Sequence, residues 1–128
     1  MTDVDLTGRR ILIIEDEHLV AEALARALRL SGAEIVGPAA TVEQALELTR
    51  STSVIDGALL DINLRGVPAY QVADALVARG VPLIFATGYG TSIIPERFRH
   101  IATLQKPFEP DEIATALFPT LRDQSDAR

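Results

Sequence analysis

Cysteine is missing from all 128 residues, so neither a disulfide framework nor a cysteine-ligated zinc site can form. That fits a reducing compartment, and the expected location is cytoplasmic. Long apolar runs are missing too. The longest are far too short to span a bilayer, and the opening MTDVDLTGRR puts acids before bases with no apolar stretch, unlike a secretory signal. Nor is there a surplus of basic charge. Lys and Arg number 12 against 18 Asp and Glu, a formal net charge of −6, which argues against nucleic acid as a partner because phosphate-backbone affinity rests on clustered Lys and Arg. Internal repeats, low-complexity tracts and linkers are also absent. The length suits one domain that buries roughly two thirds of its unfolded surface. That domain is expected over residues 1–121, with 122–128 as a frayed tail and no effector segment after it.

What the chain does contain alternates between two periods. Ile11 to Ile14 form a continuous apolar run that suits a strand buried on both faces. From His18 the period lengthens: Val20, Leu24 and Leu28 recur at four-residue spacing with Ala23 and Ala27 beside them, and Gly32 stops the helix. AEIVGP is a second strand ended by Gly37 and Pro38. Thr41 with Gln44 opens a second helix as a capping box, burying Val42, Ala45 and Leu46. Ile55 to Leu60 predict a third strand, and VPAYQVADALVARG a third helix with Val72, Ala73, Leu76 and Val77 inward and Gly80 as its stop. VPLIFAT is a fourth strand. Two glycines and Pro95 interrupt Gly88 to His100, leaving at best a short helix over Glu96 to Arg99 in what is expected to be the most mobile segment. IATLQ is a fifth strand and KPF a turn. Pro110 opens a last helix that buries Ile113, Ala114, Leu117 and Phe118 and is kinked or ended by Pro119.

Five strands alternating with helices imply an α/β fold with a parallel sheet covered on both faces. Right-handed crossovers favour a doubly wound, flavodoxin-like sheet of order 2-1-3-4-5, with ligands at the carboxyl ends where the winding reverses. The chemistry-bearing residues stand there: Glu15 and Asp16 after strand one, Asp61 after strand three. With neighbouring strands about 4.8 Å apart, these carboxylates converge, and like charges that close repel unless a cation joins them. Oxygen-only ligands select a hard ion, and Mg2+ fits because it takes few protein ligands and keeps its waters. Thr87 closes strand four and Lys106 follows strand five, within reach of Asp61 along a lysine stem. A carboxylate nucleophile, a dication, a hydroxyl and an ammonium make a set for phosphoryl transfer onto Asp61.

IIEDE (Ile13 to Glu17), LLDINL (Leu59 to Leu64), FATG (Phe85 to Gly88) and LQKPF (Leu104 to Phe108) together resemble the receiver domain of two-component response regulators, over nearly the whole chain. The resemblance implies phosphorylation of Asp61 by the phosphohistidine of a sensor histidine kinase. It implies Mg2+ bound by Asp16, Asp61 and the main-chain carbonyl of Asn63, with Glu15 acting through water. Lys106 would pair with the phosphoryl group and Thr87 would hydrogen-bond it. Glu15 stands where the family more often has Asp. Thr103 stands where many receivers carry an aromatic that rotates inward with the Thr. FATGYG resembles instead a subgroup with a Phe-Ala-Thr-Gly-Tyr motif, associated with kinases of the HWE or HisKA2 class, which makes Tyr89 with Thr87 the candidate switch pair. Such a domain acts by docking, competing for phosphoryl groups or relaying them to a histidine phosphotransfer or downstream regulator protein. It is expected to be monomeric or weakly dimeric.

Two other readings are weaker. A docking pseudo-receiver would have lost an essential group, and none is missing. A haloacid-dehalogenase-type phosphatase wants a second Asp two positions after the nucleophile, where Asn63 stands. Glu17 reads as a solvated cap, and Arg9 with Arg10 as solvent-facing flanks of strand one. His18 and His100 sit on different elements with no companion histidine, so surface or helix-start roles suit them. TGYG fits neither a dinucleotide fingerprint nor a P-loop.

Overall fold

Apolar residues at successive positions of strand β1 (Arg10–Ile14) point alternately to opposite faces of the sheet. Ile11 and Ile13 join Ala25, Leu28, Leu59, Ile84, Ile113 and Leu117 in one core layer, while Leu12 and Ile14 join Leu60, Val72, Leu76, Phe85 and Phe98 in the other. The computed structural model of the chain describes residues 5–88 and 94–118. In chain order it gives β1, helix α1 (His18–Leu30), β2 (Glu34–Ala39), α2 (Val42–Ser51), β3 (Gly57–Asp61), the two-residue strands β4 (Asn63–Leu64) and β5 (Val67–Pro68), α3 (Tyr70–Ala78), β6 (Leu83–Thr87), a 3-10 turn over Glu96–Phe98, β7 (Ala102–Gln105) and α4 (Pro110–Leu117).

The main sheet is parallel with order β2-β1-β3-β6-β7, which is the anticipated doubly wound order once the small β4–β5 hairpin is set aside. No helix among the described residues is long and apolar enough to cross a membrane. The helix ends follow local chemistry. Thr41 Oγ1 accepts the Gln44 N–H at 3.1 Å, and the Gln44 side chain returns to the N–H of Ala40 at 2.9 Å. Glu109 donates its N–H to Glu112 Oε1 at 2.7 Å, a cap on α4 that sequence reading missed. Arg79, after α3, donates to the carbonyls of Thr49, Thr52 and Ser53, which ties the end of α2 to α3.

Several sequence expectations shift. Strand β2 runs through Gly37 and Pro38 to Ala39, because its pairing with β1 resumes at Ile14↔Ala39 after a register shift. Helix α1 buries Ala21, Ala25 and Leu28, leaving Ala23 exposed and Val20 and Leu24 half-buried. Small alanines there let the helix lie close to the sheet. Val77 is 42% exposed instead of inward, since the buried stripe of α3 is centred on Val72, Ala73 and Leu76. Leu46 is only partly buried. Val67 and Pro68 belong to the hairpin, so α3 starts at Tyr70. Arg10 is half-buried within β1 and faces Glu34 at 3.6 Å, while Arg9 lies over the Phe118 ring at 4.7 Å, so neither is a simple solvated flank. Pro119 and the 122–128 tail lie outside the described residues.

Between β6 and β7, the 3-10 turn is held to α3 in two ways. Phe98 stacks on Tyr70 at 5.8 Å and meets Phe85 edge-on at 5.6 Å. Arg97 makes a two-pronged ion pair with Asp74, both contacts at 3.0 Å, and its hydrogen bonds hold the Asp74 carboxyl below its ordinary value.

Candidate functional site

Parallel register lines up the strand ends. Ile14 pairs with Leu60, Asp61 with Ala86 and Thr87 with Gln105, so the residues at or just after those positions share one rim of the sheet. Glu15 keeps its backbone in the ladder through its N–H to the Ala39 carbonyl, which carries its side chain inward to 3% exposure. Lys106 donates its backbone N–H to the Thr87 carbonyl at 2.8 Å, anchoring it to the end of β6. From there its ammonium spans to β3. Lys106 Nζ lies 2.9 Å from Asp61 Oδ2, 2.6 Å from Glu15 Oε1 and 3.9 Å from Glu17 Oε1.

Each acid is also aimed by a backbone amide. Asn63 N–H donates to Asp61 Oδ1 at 3.0 Å, the local two-residue return of an Asp side chain at a turn, and Glu17 N–H donates to Glu15 Oε2 at 3.0 Å. Asp16 Oδ2 accepts the N–H of Arg65 at 2.9 Å, from across the crevice. Arg65 and Gly66 form the two-residue turn of the β4–β5 hairpin, with φ of 54° and 83°. Gly66 N–H in turn donates to Asn63 Oδ1 at 2.8 Å.

Burial pushes the Glu15 carboxyl up, and the nearby Asp61 charge adds to that, against the lowering effect of Lys106 and the Glu17 amide. Burial pulls the Lys106 ammonium down, but hydrogen bonds to Glu15 and Asp61 outweigh it and its value rises. Both shifts are consistent, because the single cation is shared by two acids. Lys106 gains from each, whereas Glu15 has half a partner and a repelling neighbour.

Glu15, Asp16 and Asp61 can each present one carboxylate oxygen within 4.8 Å of the others. Three carboxylates against one ammonium leave two negative charges uncompensated. An all-oxygen donor set of that charge matches a hard dication such as Mg2+. The residues present therefore fit that ion.

Thr87 is buried at the end of β6, beside this group. Thr103 is exposed on β7, in register with Phe85. Tyr89 lies outside the described residues. His18 opens α1 and is exposed, as is His100 on its own turn. Sequence reading missed three features. Glu17, taken as a solvated cap, keeps 67% of its side chain exposed yet lies within reach of Lys106. Arg65 touches Asp16 through its backbone, and the only hint was an Arg-Gly pair in an otherwise strand-like run. Tyr70, Phe85 and Phe98 gather from three elements with no local signal at all.

Comparison with known proteins agrees with this geometry. The response regulator receiver domain family matches residues 11–118. PdtaR, a transcriptional regulatory protein of Mycobacterium tuberculosis, is 31% identical over 91% of this chain and 58% of its own length. The phyllosphere-induced regulator PhyR of Methylorubrum extorquens is 32% identical over 92% of this chain and 45% of its own. The chain thus spans about half the length of the curated relatives it matches. Among solved structures, SdrG from Sphingomonas melonis superposes with a TM-score of 0.76 at 41% identity, covering 95% of this chain and 99% of SdrG. The BeF3-activated conformation of SdrG gives 0.71 at 43% identity, covering 88% and 95%.

Proposed function

The chain belongs to the response regulator receiver domain family of two-component systems, and on that premise we propose that it works as a phosphoacceptor switch, taking a phosphoryl group onto Asp61. The family is one of signalling domains, not turnover enzymes, and its members interact with histidine kinases and downstream proteins. One observation carries the reading: Lys106 Nζ sits 2.9 Å from Asp61 Oδ2 inside a cluster of three converging carboxylates.

The chain's own residues perform the transfer by positioning and charge. One Asp61 oxygen attacks phosphorus. The O–P bond forms as the donor's N–P bond to histidine breaks, and the imidazole leaves with the bond's electron pair and a proton it already carries. Asn63 N–H, on Asp61 Oδ1, keeps the carboxylate turned for attack. Lys106 follows the negative charge from Asp61 onto the phosphoryl oxygens, and Glu15, paired with Lys106 at 2.6 Å, holds it at the rim meanwhile. The Thr87 hydroxyl donates to a phosphoryl oxygen. Asp16, Asp61 and the Asn63 carbonyl would hold Mg2+, with Glu15 acting through water; when bound, the ion supplies positive charge against those oxygens.

Phosphorylation adds charge and acceptor oxygens that draw Lys106 and Thr87 and bias the 88–100 segment, changing partner binding. The FATGY run, Phe85 to Tyr89, supports membership of that motif's subgroup, with Tyr89 as part of the switch and an HWE- or HisKA2-type kinase as donor. Among the described residues of this segment, the short 3-10 turn Glu96–Phe98 is in keeping with this. The beryllofluoride-activated conformation recorded for SdrG supports the phosphoacceptor reading of Asp61. Intact-mass spectrometry after incubation with a candidate kinase, ATP and Mg2+ tests the reading. One phosphoryl adduct is expected, lost in Asp61→Asn. No adduct from any donor would leave a docking module instead.

A further inference from the structure

Arg65 is the one non-glycine among the described residues with a positive φ, 54°. The two-residue turn between β4 and β5 requires that left-handed conformation, in which Asn, Asp or Gly would sit more easily than arginine. Its backbone N–H is fixed on Asp16 Oδ2, so the residue stands beside the acid cluster. The side chain is exposed and takes part in no ion pair among the described residues, whereas Lys106 is already committed to Glu15 and Asp61.

The charge problem at this rim gives that side chain its task. A phosphoryl donor is anionic, and it must approach three carboxylates on a protein of net charge −6. A cation at the mouth raises the local concentration of an anion and offsets the repulsion. A guanidinium presents a fork of N–H donors that matches phosphate oxygens. We propose that Arg65 is a specificity residue for the incoming donor, gripping the anionic phosphoryl group at the rim before Asp61 attacks it and favouring donors of higher negative charge. This rests on Asp61 being the phosphoacceptor.

The test uses two small donors with Mg2+: acetyl phosphate, whose phosphoryl group is dianionic near neutral pH, and phosphoramidate, which carries less net negative charge. With the first, the Asp61 oxygen bonds to phosphorus as the P–O bond to the acyl group breaks and acetate leaves with the electron pair. With the second, the P–N bond breaks and ammonia leaves, its proton already in place on nitrogen. Initial rates are read by intact mass for wild type, Arg65→Asn and Arg65→Lys. Asn suits the left-handed turn, so it removes the charge without disturbing the hairpin.

Arg65→Asn should slow labelling by acetyl phosphate about fivefold, the upper end for an exposed ion pair. Phosphoramidate should be affected less, and the difference should shrink as salt is added. Arg65→Lys should keep most of the wild-type rate. Unchanged labelling of Arg65→Asn by acetyl phosphate, or an equal and salt-independent fall with both donors, overturns the role of Arg65 while leaving Asp61 as acceptor. Wild type left unlabelled by both small donors overturns the role of Arg65 in selecting them, and wild type left unlabelled by a histidine kinase as well overturns Asp61 as acceptor.

Discussion

Lys106→Met deletes one ammonium and keeps the stem, which isolates the charge balance at the strand ends. Glu15, whose side chain is 2% exposed, then faces Asp61 with no cation. Removing one partner of a buried ion pair costs about 3–5 kcal/mol. Lys106 retains 17% side-chain exposure and Glu15 keeps the Glu17 amide at 3.0 Å, which places the loss at the lower end, about 3 kcal/mol. Against a total stability of about 5–15 kcal/mol, and with a urea slope of about 2 kcal/mol/M, the unfolding midpoint should fall by about 1.5 M.

The sign of the pH dependence follows from Glu15. Its folded value lies above the ordinary 4.5 because of burial, and it rises further without Lys106. The folded state therefore takes up a proton where the unfolded state does not, so the variant gains stability as pH falls through the folded value toward 4.5. In wild type the Lys106 ammonium, raised by its two acids, contributes at every pH below its ordinary 10.5 and is lost only as pH rises through its folded value. Urea unfolding followed by circular dichroism in chelator, from pH 8 down to pH 5, measures this. Adding Glu15→Gln to Lys106→Met should recover most of the loss. A deficit under about 1 kcal/mol at pH 8, or one that widens on acidification, would refute the reasoning.

Three further perturbations probe the frame around the site. Phe98→Ala empties the contact between Tyr70 and Phe85 and should cost about 3–5 kcal/mol in urea unfolding. Arg79→Ala frees three carbonyls at the end of α2 and should cost about 1 kcal/mol; salt should alter that loss little, since the acceptors are uncharged, and hydrogen exchange should quicken in the last turn of α2. Gly32→Ala combines a φ of 98° with a Cβ set 2.7 Å from Thr7 Oγ1 and 3.0 Å from the Thr7 backbone, so a loss of about 1–3 kcal/mol in the same assay is expected.

Sheet order and the convergence of Glu15, Asp16, Asp61 and Lys106 were legible because each depends on a strand and what immediately follows it. Continuous apolar runs mark parallel strands, and their ends fix the rim. The centres of helical stripes were less legible. A four-residue repeat locates a stripe within about one position, and tertiary contact decides whether Val20 or Ala21 faces the sheet, and whether Val77 does. The hairpin after β3 was hidden because Val67 and Pro68 read as the lead-in to a helix. Arg79 reaching Thr49, 30 residues earlier, and the Tyr70, Phe85 and Phe98 cluster depend on folding bringing distant residues together, which no local pattern encodes.

The 3-10 turn between β6 and β7 is fastened twice, and the two fastenings answer to different solvents. The Arg97 and Asp74 pair stands in water, where about 1 M salt shortens the screening length to about 3 Å and weakens such contacts. The Phe98 stack is buried, with the Arg97 guanidinium 4.4 Å from its ring centre, and it is weakened by cooling or urea. Brine should therefore act first on the outer fastening of this turn, while denaturant releases the inner one together with the rest of the core.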